Sequence, residues 1–407
     1  MKKKSSQTGG GVCAPKGFRA AGVEAAVKYK SRKDVGILAA DAPCAAAAVF
    51  TTNKAAAAPV LYSRAAVASG TAQAIVANSG CANACTGERG MKDANLSALL
   101  AAGELGVPAG FVLVASTGVI GRPLPMQRLG EGIRRAAAAL GRSAEHALDF
   151  ERAIMTTDTR PKQACAKTRI GGKTVTIGAC AKGSGMIEPN MATMLAFITT
   201  DAAITPAMLK RALKLAVAES FNSLVVDGDE STNDSAFILA SGAAGNATIS
   251  RGGADFDAFR KALTEVCVSL ARQMAKDGEG ATKFVTVSVT GAKSDKDAAR
   301  AARAIARSPL AKTSWFGKDP NWGRVLAAAG YSGADFDPYK ATISYGRAWA
   351  YRKGETAGEA QLAKLAKELA KDEFTVTVEL GAGRGAAKIY TCDLTDGYIH
   401  INADYTT

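Results

Sequence analysis

The sequence predicts an α/β fold of the layered α+β kind. Three observations carry that reading. Helix-like and strand-like segments alternate along the whole chain, several β-rich runs repeat with period two, and amphipathic stretches of helical period lie between them. The strand candidates are residues 72–78 (AQAIVAN), 110–116 (GFVLVAS), 173–179 (KTVTIGA), 194–200 (MLAFITT), 283–290 (KFVTVSVT), 374–380 (FTVTVEL) and 386–394 (AAKIYTCDL). Alternation in these runs marks half-buried strands.

The best-marked helix begins at Thr205. Threonine suits the N-cap and Pro206 the first helical position. Met208, Leu209, Ala212, Leu213 and Ala216 then share one face, which reads as core. Similar stretches run through 90–105, 126–140, 255–276 and 357–372. The 42 glycines and the alanine runs imply close packing and many tight turns. No internal repeat or long low-complexity linker divides the chain. The short polar break GAKSDKD suggests a boundary near 280–295, with a smaller C-terminal structural domain about 290–407.

At 407 residues, with 47% hydrophobic and 22% charged residues, the chain can bury a substantial core. Its formal charge of +14 raises the question of an anionic partner. Nucleic-acid binding would pair basic clusters with stacking aromatics or a recognisable module. Aromatics are only 6% of the chain and do not interleave with the basic residues, so no nucleic acid is expected. Arg300, Arg303 and Arg307 are spaced to share a helix face, which reads as a solvated surface. The functional alternative is attraction of anionic metabolites such as glutamate or acetyl-CoA.

Eight cysteines lie at 13, 44, 81, 85, 165, 180, 267 and 392, with no C-x-x-C pair and no histidine near the one close pair. They read as reduced, buried small hydrophobes rather than a zinc site, and no metal is expected. The basic start, MKKKSSQTGGG, has no apolar run behind it, and no window has the length of a membrane span. The expectation is a cytoplasmic protein with no membrane partner. Only two histidines are present. His146 sits in a polar-rich helical pattern and should be exposed, and His400 alternates within YIHINA as a strand residue. A hydroxyl nucleophile in this chain therefore needs a base other than histidine.

Residues 181–202, AKGSGMIEPNMATMLAFITTDA, offer one. Gly183, Gly185 and Pro189-Asn190 make an irregular approach that delivers Thr193 to the edge of an apolar strand. A threonine opening a strand is ordinary by itself. If the Ala192–Thr193 bond is cut, however, Thr193 gains an α-amine with a reference pKa of roughly 7.7–8.0, able to take the proton from its own hydroxyl. The chain could make that cut itself by an N-to-O acyl shift followed by hydrolysis, helped by strain in the approach.

This stretch resembles the glutamate N-acetyltransferase / ornithine acetyltransferase family, in which a threonine in a P-N-M-A-T-M-L setting is both self-cleavage point and nucleophile. The resemblance extends over ANSGCANACTG (77–87), STGVIG (116–121), MTTDTRPK (155–162), FNSLVVDGDESTND (221–234), KDGEGATK (276–283), GKDPNWGR (317–324) and CDLTDGYIHINADYTT (392–407), in the family's order. It implies a two-domain α/β architecture similar to N-terminal-nucleophile enzymes. Self-cleavage would give an α chain of residues 1–192 and a β chain of residues 193–407 that stay together as an α2β2 heterotetramer.

Carried over by position, the resemblance makes Thr193 the nucleophile and Thr117 with Gly118 the oxyanion hole. A hydroxyl and a backbone N–H after a strand are also a sensible donor pair in their own right. Thr156, Lys182, Thr193, Glu279, Asn402 and Thr407 match substrate-binding positions, with Thr157 an alternative to Thr156. Lys182 could meet a substrate carboxylate or depress the pKa of the new amine. Glu279, between two glycines, could hold a substrate ammonium. The alternating end YIHINADYTT should be tied into a sheet, bringing Asn402 and the terminal carboxylate to the site. Asp227, Asp229 and Asp234 fit only part of a calcium-loop spacing and read as turn or site support.

The implied activity is ping-pong acetyl transfer from N-acetylornithine to glutamate in arginine biosynthesis, with no cofactor, and with acetyl-CoA as a possible second donor. Two other readings stand beside it. An N-terminal-nucleophile aminopeptidase or amidase would use the same self-cleavage and give the acyl group to water. A non-enzymatic anion-binding protein would account for the charge alone.

Overall fold

The structure is a computed structural model that describes residues 10–28, 30–188 and 194–404. Fourteen strands among these residues form two sheets. The first contains β1 (Phe18–Val23), β2 (Val35–Phe50), β3 (Thr71–Asn78), β4 (Val112–Ser116), β5 (Gln163–Ile170), β6 (Lys173–Lys182), β7 (Leu195–Thr200) and β8 (Ser235–Ala240). Its order is β4-β3-β2-β8-β7-β6-β5, with β1 pairing only β2. The second contains β9 (Phe284–Ala292), β10 (Thr342–Tyr345), β11 (Ala348–Arg352), β12 (Glu355–Thr356), β13 (Glu373–Glu379) and β14 (Gly385–Cys392), in the order β12-β11-β10-β13-β9-β14.

Helices cover these sheets. Those from the first two-thirds of the chain are α1 (Ala58–Ala66), α2 (Gly87–Leu105), α3 (Met126–Ala138), α4 (Ala144–Ile154), α5 (Pro206–Glu219) and α6 (Ala254–Lys276). The remainder are α7 (Asp295–Arg307), α8 (Pro309–Phe316), α9 (Trp322–Gly330), α10 (Glu359–Leu369) and α11 (Asp396–Asp404). The apolar stripe of α5 packs with α6 on one face of the first sheet, and its Leu209, Ala212, Leu213 and Ala216 are fully buried. On the other face α4 meets β1 and β2, and Phe150 stacks edge-on to Phe197, their centroids 5.0 Å apart. The second sheet has its own core, in which Trp315, Tyr345 and the valines of β9 and β13 are buried. The layered α/β arrangement expected from the sequence is thus present.

Each strand run named from the sequence coincides with an observed strand, and each amphipathic stretch with a helix. Alternation and helical period located them correctly. Thr205 does stand at the N-cap of α5, but its hydroxyl donates to the Ile249 carbonyl and does not cap the helix. Strands β1, β2, β5, β8 and β10–β12 are additional. β2 is the instructive case. Its second half, DAPCAAAAVF, is alanine-rich, and alanine favours helix locally. Pairing to β8 from Ala45 to Phe50 makes it a strand, with Ala46, Ala48 and Phe50 buried in the core.

All eight cysteines are thiols, but Cys85 is exposed and Cys13 and Cys165 are half-buried, so the expectation of uniform burial fails at three positions. His146 lies on α4 as expected but is half-buried, its Nδ1 2.6 Å from the Ser143 hydroxyl. None of the described helices is long and apolar enough to cross a membrane.

Glu151 on α4 is a buried carboxyl. Burial raises its pKa from 4.5 to about 8, and Gln163 and Lys162 only partly oppose that. The folded protein therefore keeps this proton over a range where the unfolded chain has lost it. The stabilisation is complete below about pH 4.5 and disappears as pH rises through about 8. Replacing Glu151 with Gln should flatten the fall in melting temperature between those values; an unchanged slope would assign it to another group.

Candidate active site

The register of the first sheet builds the site. β6 and β7 run antiparallel with Lys182 opposite Leu195, while β7 and β8 run parallel with Leu195 opposite Ser235. The first residues of β7 therefore enter between the end of β6 and the start of β8, and the Ser235 N–H bonds the Met194 carbonyl at 2.9 Å. Ala192 and Thr193 lie outside the described residues, as does Thr407. Met194 and Leu195, immediately after Thr193, line a pocket of about 150 Å³. Thr117, Gly118, Thr156, Thr157, Lys182, Glu279 and Asn402 line the same pocket. Residues up to 285 positions apart in the chain thus meet where β7 starts.

Thr117 and Gly118 follow β4 in a tight loop. The Thr117 amide donates to the Asn78 carbonyl at 3.0 Å and the Val119 amide to Gly80. Asn233 ties the loop down, its side-chain amide donating to the carbonyls of Ala82 at 2.6 Å and Ser116 at 2.8 Å. Gly118 has φ +126°, and a Cβ there would lie 2.5 Å from the Gly80 carbonyl carbon. No residue with a side chain fits at that point. Lys182 donates to the Thr117 hydroxyl oxygen at 3.4 Å, which leaves the hydroxyl proton free to point elsewhere, as an oxyanion donor requires.

Lys182 is almost wholly buried, not the solvated surface lysine that a polar loop would suggest. Burial holds its pKa below the usual lysine range, and Asp158, 3.9 Å away, pulls it back up. Asp158 is the hub beneath the pocket. One carboxylate oxygen accepts from the Gly183 amide and from Lys162, both at 2.6 Å, and the other from the Thr156 amide at 3.0 Å. Burial raises its pKa, but Lys182 and Lys162 together outweigh that and hold it well below the usual carboxylate range. Lys162 is shared with Asp277 at 2.6 Å, and Asp277 also takes the Thr159 hydroxyl. This network joins the threonine loop, the end of β6 and the end of α6.

Removing one member of a buried charge network costs roughly 3–5 kcal/mol, because the partners stay buried without compensation. Asp158→Ala should therefore lower the melting temperature sharply and depress the Lys182 pKa further. Unchanged thermal stability would show that Asp277 alone balances both lysines.

Glu279 projects into the pocket over Gly185, where a Cβ would lie 2.3 Å from its carboxyl carbon. Its amide donates to the Ser184 carbonyl at 2.9 Å, and its carboxylate accepts from the Asn402 side-chain amide at 2.8 Å. Thr157 meets the Ser184 hydroxyl at 2.8 Å; Thr156 and Thr157 both face the pocket. Asn402 lies on α11, which corrects the expectation of a terminal strand. Residues 396–404 are helical, His400 is an exposed helix residue, and Thr395 bonds both the Gly280 carbonyl and the Gly397 amide. One helical turn separates Tyr398 from Asn402, whose amide also donates to the Tyr398 carbonyl at 3.0 Å.

Neither histidine lines the pocket. Asp227 supports the backbone, its carboxylate accepting the amides of Met186, Ile187 and Asp229. Asp158, Lys162, Asp277 and Asn233 were not singled out from the sequence, although all four lie within quoted motifs, Asp158 and Lys162 in MTTDTRPK, Asp277 in KDGEGATK and Asn233 in FNSLVVDGDESTND. A larger open groove of about 720 Å³ lies beside β2 and α5, carries Arg64, Lys210 and Lys214, and includes none of the expected site residues.

The ArgJ family model matches residues 19–407. The chain belongs to the ArgJ family. The arginine biosynthesis bifunctional protein ArgJ of Symbiobacterium thermophilum is 54% identical over 400 residues, covering 98% of this chain and 99% of that protein. The protein of the same name from Geobacter sulfurreducens is 52% identical over 393 residues, covering 96% and 99%. A solved chain of ornithine acetyltransferase from Mycobacterium tuberculosis, complexed with ornithine, is 40% identical and covers 45% of this chain and 96% of that one, with a TM-score of 0.43. ArgJ-family membership thus rests on similarity along nearly the whole chain.

Proposed function

We propose that this chain is a glutamate N-acetyltransferase of arginine biosynthesis, taking acetyl from N-acetylornithine and giving it to glutamate. Its full-length ArgJ relatives are named for that pathway. The observation that carries the reading at the level of residues is the convergence of Thr117, Gly118, Lys182, Glu279 and Asn402 on the entry of β7. That convergence at Met194 and Leu195, which follow Thr193 in the chain, supports the reading.

In this reading the chain cuts itself between Ala192 and Thr193, and the freed Thr193 amine becomes the base for its own hydroxyl. The hydroxyl oxygen adds to the acetyl carbonyl of N-acetylornithine while its proton passes to the amine. Thr117 and the Gly118 N–H hold the oxyanion. The proton then goes to the departing α-amine, ornithine leaves, and Thr193 carries an acetyl ester. The amine of glutamate attacks that ester by the same route in reverse.

Lys182 is the cation for a substrate carboxylate, and Glu279, steadied by Asn402, the anion for the ornithine side-chain ammonium. Thr156 or Thr157 and the terminal Thr407 complete the substrate contacts. The reaction calls for no metal or bound cofactor. The fragments assemble as an α2β2 heterotetramer in the cytoplasm, and acetyl-CoA serves as a second donor for making N-acetylglutamate.

The test is transfer of labelled acetyl from N-acetylornithine with and without glutamate. Label appearing in N-acetylglutamate only when glutamate is present supports the reading. Release of acetate at the same rate without glutamate would instead identify an amidase. A parallel assay with labelled acetyl-CoA decides the second donor.

A further inference from the structure

Glu188 is the last described residue before the proposed cut, four positions ahead of Ala192. It does not line the pocket. Its side chain is only 6% exposed and faces two arginines of α7. Arg303 bonds one carboxylate oxygen at 3.1 Å, and Arg307 approaches the other at 2.9 Å as an ion pair without hydrogen-bond alignment. Arg303 is itself fixed by donating to the Asn222 carbonyl at 2.6 Å. The shared helix face read from the sequence as solvated is thus divided. Arg300 and Arg307 follow that expectation in being exposed, although Arg307 also reaches Glu188, while Arg303 is half-buried against Glu188.

The residues just before Glu188 are gripped from the same side of the cut. The amides of Met186 and Ile187 donate to the Asp227 carboxylate at 2.6 and 2.8 Å, the Ile187 carbonyl accepts from Val226 at 2.7 Å, and the Glu188 amide donates to the Asp229 carbonyl at 3.0 Å. Met186 is held at φ +54°, a conformation that residues with side chains rarely adopt. Every one of these partners lies after residue 193 in the chain. A buried carboxylate is costly to maintain, and this one does no work inside the pocket. Its place immediately upstream of the cut gives it a use.

We propose that the Glu188–Arg303/Arg307 clamp, with the Asp227 cradle, is a maturation device that anchors residues 186–188 ahead of the cut and thereby speeds attack of the Thr193 hydroxyl on the Ala192 carbonyl. The proposal rests on the self-cleavage reading. In that step the Thr193 oxygen bonds the Ala192 carbonyl carbon, the hydroxyl proton passes to the departing nitrogen, and the C–N bond breaks to give an ester and a free amine. Water then adds to the ester, restoring the hydroxyl and leaving the Ala192 carboxylate. In this step Glu188, Arg303 and Arg307 act as positioning residues. After the cut, the same contacts tie the α chain to the β chain.

The experiment follows the intact mass of newly synthesised full-length chains over time for the wild type, Glu188→Gln and the double variant Arg303→Met/Arg307→Met. Misplacement remote from the reacting atoms can cost a reaction about ten- to a hundred-fold, and processing of both variants should slow by that amount. Molecules that have been cut should transfer acetyl with wild-type kcat and KM per titrated site. Wild-type processing rates in both variants would overturn the clamp, and so would a kcat loss in the cut molecules equal to the processing loss.

A second measurement guards against simple misfolding. In a Thr193→Ala chain, hydrogen exchange at the Met186 and Ile187 amides should accelerate when Glu188→Gln is added, with exchange in β9 and β13 unchanged. Retained protection overturns the clamp. A wild-type chain that remains whole overturns the self-cleavage reading and the clamp with it, whereas a cut wild type beside equally fast variants overturns the clamp alone.

Discussion

Thr193→Ala is expected to give a single chain of 41.7 kDa that neither cleaves nor transfers acetyl groups. In the proposed mechanism both events use the same hydroxyl oxygen, first against the Ala192 carbonyl and then against the acetyl carbonyl. Removing a nucleophile that forms the covalent intermediate costs about 10³-fold or more in rate, because the neighbouring groups have nothing left to assist. Neither of the two histidines lines the pocket, so no histidine there can activate another hydroxyl. Thr193→Ser keeps a hydroxyl and should still cleave. Intact mass and acetyl exchange measured on one preparation check both halves; a Thr193→Ala protein that is cut or active would end the mechanism.

The second large effect is expected at the loop after β4. Thr117→Ala removes one donor and leaves the loop standing on Asn78 and Asn233, so kcat should fall about 10²–10³-fold with little change in KM. Gly118→Ala acts differently. Its new Cβ would lie 2.5 Å from the Gly80 carbonyl carbon and 2.7 Å from the Cys81 nitrogen at a φ of +126°. The loop must move and carry its N–H away from the site, so activity should fall at least as far. Stability should drop by about 1–3 kcal/mol, the usual cost of a strained backbone. Steady-state kinetics beside thermal unfolding separates the two variants. A Thr117→Ala protein with raised KM and normal kcat would make Thr117 a substrate-binding group instead.

Period and alternation were enough to find the strands and helices that carry long apolar faces, from β3 and β7 to α5 and α6. They were not enough where side chains are small or where alternation is coincidental. Alanines 45–48 say nothing locally about strand or helix, and pairing between Ala45–Ala240 and Phe50–Ser235 decides it. YIHINA alternates, but it lies on α11, a helix that reaches Glu279 through Asn402. Lys182 and Glu279 were legible as site residues because they lie inside motifs. The burial of Lys182, and the Asp158 carboxylate beneath it, were not.

By itself the sequence determined the chemistry on offer. It supplied one threonine at the head of an apolar strand, two histidines too few for the usual base, a glycine-containing turn after β4, and motifs in the ArgJ order. Only the tertiary structure decided which charges meet. Lys162 bonds Asp277, 115 positions away, and Glu188 bonds Arg303, also 115 positions away. Both pairs depend on burial, which makes an unpartnered charge intolerable and so selects partners by packing rather than by spacing. A local pattern records which face of a helix or strand is apolar. It carries no record of what that face, or a buried charge beside it, will find across the core.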